Sequence, residues 1–114
     1  LDAYNANPTS VKSALENFAE ITSDNKLFVL GDMLELGQNT NQYHLEIIQL
    51  SKELNLQGMF VGSIYSGLAK ENDILAFDST EKAKDFFSTA LPKDNLILLK
   101  GSRGIGLEKL IEIL

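Results

Sequence analysis

Three short segments of this sequence hold most of the side chains that could bind or transform a polar ligand. They are Asp2–Pro8 (DAYNANP), Gly31–Gly37 (GDMLELG) and Lys100–Gly106 (KGSRGIG). Each places carboxylates, amides, hydroxyls or a guanidinium within a few residues of glycine or proline. Because such groups supply hydrogen-bond donors, acceptors and charge, the three segments predict recognition of a polar small molecule.

The third segment contains Arg103, which is the only arginine of the chain. It follows Lys100 and Ser102 in a glycine-rich turn that the pattern places between a strand and a helix. Backbone N–H groups at a helix start, joined by a guanidinium fork, bind a carboxylate or a phosphate. The glycine order, G-x-x-G-x-G, differs from the dinucleotide and P-loop patterns, so an anion site is predicted without a nucleotide assignment. The alternative is a surface arginine beside a turn that needs glycine for positive φ.

The first segment offers one carboxylate and two amides just before a predicted helix. Asp2 could accept hydrogen bonds from a sugar diol, and Asn5 and Asn7 can both donate and accept. The alternatives are local: Asn7 is a good helix N-cap, and Asp2 and Asn5 suit Asx turns. Ligand binding and local turn formation both remain open for this segment.

The second segment holds two carboxylates, Asp32 and Glu35, between two glycines. Paired carboxylates could bind a cation or an ammonium group, or act as acid and base. The alternative is a solvated turn with its apolar residues tucked inward. The only histidine, His44, cannot build a zinc site alone, so no metal site is predicted. A structural hydrogen bond from His44 is favoured over proton transfer.

The spacing of apolar residues predicts the elements that position these segments. Short apolar runs alternate with helical stripes, which is typical of an α/β fold with a mostly parallel, doubly wound sheet and helices on both faces. The first half of the chain is predicted to form a helix capped by Asn7 with Pro8 at its first position, a strand at Lys26–Leu30, a helix over residues 40–54 and a strand at Gln57–Val61. The second half is predicted to form a short helix at Ser66–Lys70, a strand at Ile74–Phe77, a helix opened by a capping box of Asp78 and Glu81, a strand at Asn95–Lys100 and a last helix from about residue 107.

Apolar stripes predict the buried faces of the helices, including the two helices in the middle of the chain. The stripe of the helix over residues 40–54 consists of Tyr43, Ile47, Leu50 and Leu54. The stripe of the helix after Asp78 consists of Ala83, Phe86, Phe87 and Ala90. We expect both stripes to pack against the sheet.

All three polar segments follow predicted strands or strand ends. In an open α/β sheet, ligands bind beyond the carboxyl ends of the strands, and those ends share one edge. We therefore expect the three segments to meet at that edge. The remaining connections join helix ends to strand starts on the opposite edge and need no functional interpretation.

Length and composition exclude several classes of protein. The chain has 114 residues, no cysteine and a formal net charge of −6. The length fits a single domain, and the absence of cysteine removes thiol catalysis and Cys-ligated metal centres. The acidic balance argues against nucleic-acid binding, and no apolar run is long enough to span a bilayer. The missing initiator Met and missing P-loop motif predict a piece of a larger protein.

Three strings of the sequence resemble, in this order, the C-terminal domain of the Mur ligase family. They are DAYNANP (Asp2–Pro8), VLGDMLELG (Val29–Gly37) and LKGSR (Leu99–Arg103). Within the family, they most resemble the members that add D-alanyl-D-alanine to a UDP-N-acetylmuramoyl-tripeptide. The resemblance runs over nearly the whole chain, and it implies that residues 1–114 form one such domain of a larger three-domain enzyme.

The resemblance implies a bacterial, cytoplasmic, ATP-dependent ligase of peptidoglycan precursor synthesis. One domain binds the UDP-sugar peptide, a central ATPase with a P-loop holds most of the contacts to ATP and Mg²⁺, and the Rossmann-like C-terminal domain closes over it. ATP phosphorylates the terminal carboxylate of the peptide, and the incoming amine attacks the acyl phosphate. The implied partners of this chain are therefore small-molecule substrates and the other two domains, and the chain alone is expected to be inactive.

The nucleotide side of the site is implied for the first segment. Asp2 matches the family aspartate that contacts the ATP ribose, and Asn5 and Asn7 match positions near the nucleotide. The sequence departs from several relatives because Pro8 is spaced one residue further along.

The acceptor side is implied for the other two segments. Asp32 lies in the loop that contacts the amine substrate in sister ligases. Ser102 and Arg103, together with Lys100, match the loop that helps to hold the acceptor. From the chemistry of its guanidinium, we infer that Arg103 is the clamp on the acceptor carboxylate. Two further residues are expected to support these contacts: Glu35 and His44.

Two alternatives compete with this interpretation. Folylpolyglutamate synthase also adds an amino acid through an acyl phosphate, but the Gly31–Gly37 string argues against it. A stand-alone flavodoxin-like or receiver-like domain would belong to another class. A receiver needs acids clustered around a phosphoacceptor aspartate, and here Asp32 has only Glu35 nearby and Asp2 at a distance.

Overall fold

The computed structural model describes residues 6–89, 96–102 and 105–106. Within them, strands and helices alternate as the apolar pattern predicts. The elements are α1 (Pro8–Glu20), β1 (Lys26–Gly31), a 3₁₀ turn (Gly37–Asn39), α2 (Thr40–Glu53), β2 (Gly58–Val61), α3 (Ser63–Asn72), β3 (Ala76–Phe77), α4 (Thr80–Thr89) and β4 (Leu96–Lys100). The predicted last helix lies outside the described residues. No helix of the described part is long and apolar enough to cross a membrane.

The four strands form one parallel sheet in the order β3-β2-β1-β4. Val29 of β1 pairs with Met59 of β2 on one side and with Leu99 of β4 on the other. The chain moves outward from β1 to β2 and β3, and then returns through α4 to β4 on the opposite side of β1. The winding direction therefore reverses between β1 and β4, which is the switch point where ligands bind in doubly wound sheets. The parallel, doubly wound prediction is confirmed.

Helices cover both faces of the sheet. Phe28, Leu30 and Phe60 point to the face packed by α1, α2 and α3. Val29 and Met59 point to the other face, where α4 packs. Because successive strand residues face opposite ways, burial on both sides requires apolar residues at nearly every position. The prediction of helices on both faces is confirmed.

The start of α1 follows from its first residues, as predicted. The Asn7 side chain accepts a hydrogen bond from the Ser10 N–H at 2.9 Å, and the Ser10 hydroxyl accepts one from the Asn7 N–H at 3.1 Å. Pro8 occupies the first helical position, where its missing N–H costs nothing. This reciprocal capping box fixes the point where the first segment enters the helix.

The buried face of α2 differs from the predicted stripe. The buried residues are His44, Ile47, Ile48 and Ser51. Only Ile47 belongs to the predicted stripe, and its other members are partly buried at the margin of the core: Tyr43, Leu50 and Leu54. The physical reason is that α2 packs against both α1 and α3 as well as the sheet. The face that these neighbours cover is therefore not centred on the predicted stripe.

Two elements on the β3 side of the sheet differ in length from the prediction. The helix expected at Ser66–Lys70 is α3, which covers Ser63–Asn72. The strand expected at Ile74–Phe77 contains only Ala76–Phe77. The helix begins earlier because the N–H groups of its first turn donate to the Asp32 carboxylate in the loop after β1.

The predicted capping box of α4 is wrong. The Ser79 hydroxyl, and not Asp78, accepts the N–H of Lys82, at 3.3 Å. The Asp78 carboxylate instead binds the Lys82 ammonium at 2.8 Å and the Ser66 hydroxyl of α3. Ala83 and Phe87 are buried as predicted.

Phe86 was predicted to lie in the core, but it is 36% exposed. Its ring packs against that of Phe77 at the margin of the sheet, with the ring centroids 5.2 Å apart and the ring planes tilted by 43°. Ala90, the last member of the predicted stripe, lies outside the described residues.

Candidate functional site at the carboxyl edge of the sheet

Ser102 joins the described parts of all three polar segments. Its hydroxyl accepts the N–H of Leu34 at 2.8 Å and donates to the carbonyl of Ala6 at 3.5 Å. Its own N–H donates to the carbonyl of Asp32 at 3.1 Å. These contacts lie at the switch point, between the ends of β1 and β4. The prediction that the segments meet at one sheet edge is therefore confirmed for the residues that the structure describes.

The turn after Ser102 also reaches the start of α4. The N–H of Ile105 donates to the Ser102 carbonyl at 3.0 Å, and the carbonyl of Ile105 accepts the Thr80 hydroxyl at 2.6 Å. Thr80 is the first residue of α4 and is only 4% exposed. The third segment is thus hydrogen-bonded to the second segment through Ser102 and to the start of α4 through Ile105.

Asp32 anchors the start of α3. Its side chain is 1% exposed, and its two oxygens accept the N–H groups of Ile64 at 2.9 Å and Tyr65 at 3.0 Å. A carboxylate at a helix N-terminus satisfies N–H groups that have no partner within the helix, and its negative charge interacts favourably with the positive end of the helix dipole. Gly62 makes this contact possible, because its φ is +131° and a β-carbon there would overlap the Asp32 carboxylate.

The two acidic residues of the second segment lie in different environments. Asp32 is buried with both oxygens occupied, whereas Glu35 is exposed and has a left-handed backbone with φ +62°. No cluster of three or more histidine, aspartate or glutamate side chains in the described residues could hold a metal ion. What the structure shows for Asp32 is a structural role, and its direct contact with an acceptor stays a prediction, as does a supporting role for Glu35.

His44 has the structural role that was favoured from sequence. The ring is fully buried, its Nε2 accepts the N–H of Met33 at 3.0 Å, and its Nδ1 lies 2.6 Å from the carbonyl of Thr40. A carbonyl can only accept, so Nδ1 carries the proton and the imidazole is neutral. Burial lowers the pKa of His44 more strongly than the Thr40 carbonyl and the Asp32 charge raise it.

Tyr65 stacks edge-on against His44 and is a residue that sequence reasoning missed. The ring centroids of Tyr65 and His44 are 4.6 Å apart. The Tyr65 hydroxyl is buried without a hydrogen-bond partner in the described structure, and burial raises its pKa. An apolar helix position filled by tyrosine is the only sequence signal, and it does not distinguish packing from function.

The other predicted site residues divide into described and undescribed positions. Lys100 ends β4 beside Leu30 of β1 and is 4% exposed. Asn7 is exposed and caps α1, which confirms the local interpretation of that residue. Three predicted residues lie outside the described ones: Asp2, Asn5 and Arg103. Ligand contacts of all these residues stay predictions.

A cleft of about 350 Å³ opens between the starts of α3 and α4. Asp32, Leu34 and Ile105 line it from two of the predicted segments. Gly62–Ser63 and Asp78–Glu81, which sequence reasoning did not single out, line the rest. Since both stretches follow strands of the same parallel sheet, their position after β2 and β3 is the signal that could have found them.

Comparison with known proteins places this geometry in one family. The family model described as Mur ligase, glutamate ligase domain, matches residues 1–103. UDP-N-acetylmuramoyl-tripeptide--D-alanyl-D-alanine ligases of Rickettsia prowazekii and Bacillus subtilis are 34% and 33% identical, each over 97% of this chain and 26% of the relative.

Solved structures agree with the sequence comparison. MurF from Acinetobacter baumannii superposes with a TM-score of 0.80 at 33% identity, over 97% of this chain and 26% of that one. MurF ligase from Thermotoga maritima in complex with ADP gives a TM-score of 0.71 at 25% identity, over 98% of this chain and 26% of that one. The chain thus spans about a quarter of the length of the relatives it matches. It belongs to the Mur ligase family.

Proposed function

We propose that this chain is the C-terminal domain of a three-domain, ATP-dependent ligase that adds D-alanyl-D-alanine to UDP-N-acetylmuramoyl-tripeptide. The observation that carries the proposal is the meeting of three polar segments at the β1/β4 switch point through Ser102. The names of the matched relatives give the acceptor and the donor. The proposed setting is peptidoglycan precursor synthesis in the bacterial cytoplasm.

The proposed reaction has two steps. The terminal carboxylate of the nucleotide-linked tripeptide attacks the γ-phosphorus of ATP, which gives an acyl phosphate and ADP. The amine of D-alanyl-D-alanine then attacks the acyl carbon, phosphate leaves, and the amine loses a proton as the amide bond forms. A relative solved with ADP supports the use of ATP.

This chain contributes binding and closure to that reaction rather than the phosphate chemistry. Its sequence has no P-loop, and its described residues offer no metal site. We propose that the central domain holds ATP and Mg²⁺, where Mg²⁺ shields the phosphate charges. Closure of this domain over the central one excludes water and aligns the amine with the acyl phosphate.

The residues of the edge divide into two proposed sets. Asp2, Asn5 and Asn7, which precede α1 in the sequence, are proposed to contact the nucleotide, as the family resemblance implies. The contact of Ser102 with Ala6 supports this by holding the segment at the edge. The acceptor side is proposed to be formed by Asp32, which follows β1, and by the residues that end β4 or follow it: Lys100, Ser102 and Arg103. We propose that Arg103, the residue that follows Ser102 in the sequence, binds the carboxylate of the dipeptide with its guanidinium.

The receiver-like alternative loses its main support in the structure. A phosphoacceptor aspartate must present a free, accessible oxygen to its phosphodonor. Asp32 is 1% exposed, and both of its oxygens accept N–H groups of α3. Phosphorylation of Asp32 would require α3 to detach from this loop.

An amine-substrate panel tests the proposal. The longer protein that the proposal places around this domain, here called the complete ligase, is mixed with ATP, UDP-N-acetylmuramoyl-tripeptide and one amine at a time. We expect phosphate release and a product of the expected mass with D-alanyl-D-alanine, and none with L-glutamate or D-alanine. The 114-residue chain alone is expected to give no turnover. Turnover by the chain alone, or preference for L-glutamate, would contradict the proposal.

A further inference from the structure

Two successive backbone N–H groups of the second segment are held by side chains from elsewhere in the fold. Met33 donates to the His44 ring at 3.0 Å, and Leu34 donates to the Ser102 hydroxyl at 2.8 Å. Met33 is fully buried, whereas Leu34 is 37% exposed. The segment therefore turns from the core to the surface over one residue, between these two contacts.

The first of these contacts depends on the tautomer of His44. The Thr40 carbonyl lies 2.6 Å from Nδ1 and requires a proton there, which leaves the Nε2 lone pair for the N–H of Met33. Asp32 and the ring of Tyr65 also face the imidazole. Burial lowers the pKa of His44, which keeps the ring in the neutral form that this arrangement needs.

We propose that His44 is a positioning residue for the acceptor site: its Nε2 fixes Met33, and Met33 places Leu34 against Ser102, which belongs to the proposed acceptor side. The inference rests on the proposed function. It assigns the role to one hydrogen bond of His44, the one to Met33, and not to the bulk of the ring. The bond to Thr40 serves to set the tautomer.

Two conservative substitutions separate the two hydrogen bonds of His44. The terminal oxygen of glutamine reaches the place of Nε2 and can accept from Met33. The terminal nitrogen of asparagine reaches only the place of Nδ1 and can donate to Thr40. Both substitutions remove the ring that stacks on Tyr65, so the lost ring contact is common to the two variants. His44→Phe is a third variant, which keeps a ring and removes both bonds.

The first measurement is steady-state kinetics of the complete ligase. We expect His44→Asn and His44→Phe to raise the KM for D-alanyl-D-alanine about tenfold, the factor for one lost buried hydrogen bond. The KM for ATP is expected to stay within about twofold of wild type, and His44→Gln to stay within about twofold for both substrates. Equal effects of His44→Asn and His44→Gln on the acceptor KM would overturn the inference, as would no effect of either.

The second measurement does not depend on ligase activity. Hydrogen exchange of the complete ligase is followed by mass spectrometry on overlapping peptides that isolate residues 33 and 34. We expect faster exchange there in His44→Asn and His44→Phe than in His44→Gln, with the β2 peptides unchanged in all three. Uniform exchange in all variants would overturn the positioning role. If the exchange differs as expected and no amine is ligated, the proposed function fails while the hydrogen-bond assignment stands.

Discussion

Replacing Ser102 by alanine removes the hydroxyl group that joins three segments at the carboxyl edge of the sheet. The N–H of Leu34 loses its acceptor at 2.8 Å, and the carbonyl of Ala6 loses its donor at 3.5 Å. The bond from the Ser102 N–H to Asp32 remains, because it belongs to the backbone. Since Leu34 is 37% exposed, water can replace the lost acceptor, and we expect a loss of about 1 kcal/mol in the free energy of unfolding.

The same change is expected to affect acceptor binding selectively. If the hydroxyl fixes the loop that holds the dipeptide, a cost of about 1 kcal/mol raises the KM for D-alanyl-D-alanine about fivefold. The KM for ATP is expected to change by less than about twofold, a shift smaller than half of that energy. The assays are urea unfolding monitored by circular dichroism and initial rates of phosphate release by the complete ligase.

A matched serine is available as the control. The Ser88 hydroxyl donates to the Lys84 carbonyl at 2.9 Å on the exposed side of α4. Ser88→Ala removes a hydroxyl of the same kind away from the edge, and both Michaelis constants are expected to stay unchanged. The reasoning is refuted if Ser102→Ala leaves the acceptor KM unchanged, or if Ser88→Ala raises it equally.

Three further predictions concern the anchor of α3 and its surroundings. Gly62→Ala forces a β-carbon at φ +131° into the Asp32 carboxylate. We therefore expect urea unfolding to show a loss of at least about 3 kcal/mol in the free energy of unfolding. A loss below about 1 kcal/mol would contradict the role of Asp32 as the anchor of α3. Tyr65→Phe removes a buried hydroxyl that has no hydrogen-bond partner among the described residues, so we expect a gain of about 1 kcal/mol in the same assay. A loss would indicate a hidden partner. The lowered pKa of His44 means that the unfolded chain binds a proton at a pH where the folded chain does not. Unfolding free energy should therefore fall as pH drops from about 6.5 towards the pKa of the folded state, and His44→Gln should flatten this pH dependence.

The features that the sequence predicted correctly depend on local patterns. Asn7 and Pro8 start α1 through contacts within a few residues, and the apolar runs mark strands buried on both faces. The meeting of the three segments followed from the parallel sheet alone, since strands that run in one direction end at one edge. His44 was correctly interpreted as structural because one histidine cannot form a metal site.

The features that were missed depend on contacts between distant parts of the chain. Asp78 has the sequence signature of a cap, but Ser66 of α3 and Lys82 bind its carboxylate, and Ser79 caps α4 instead. The anchoring of α3 by Asp32 was missed because the sequence does not show that the N–H groups of Ile64 and Tyr65, more than 30 residues away, bind its carboxylate. The contact of Asp32 with the acceptor stays a prediction. Such partners become visible only when the fold brings them together.

The most direct test of the central claim, that the β1/β4 edge holds the acceptor, is the kinetics of Arg103→Ala in the complete ligase. Losing a charge-assisted hydrogen bond to a carboxylate costs about 1.5–3 kcal/mol, so we expect the KM for D-alanyl-D-alanine to rise by about 10- to 100-fold. The KM for ATP should stay within about twofold of wild type, because the nucleotide contacts are proposed for the first segment, Asp2–Pro8. A rise in the KM for ATP with an unchanged KM for D-alanyl-D-alanine would contradict the account.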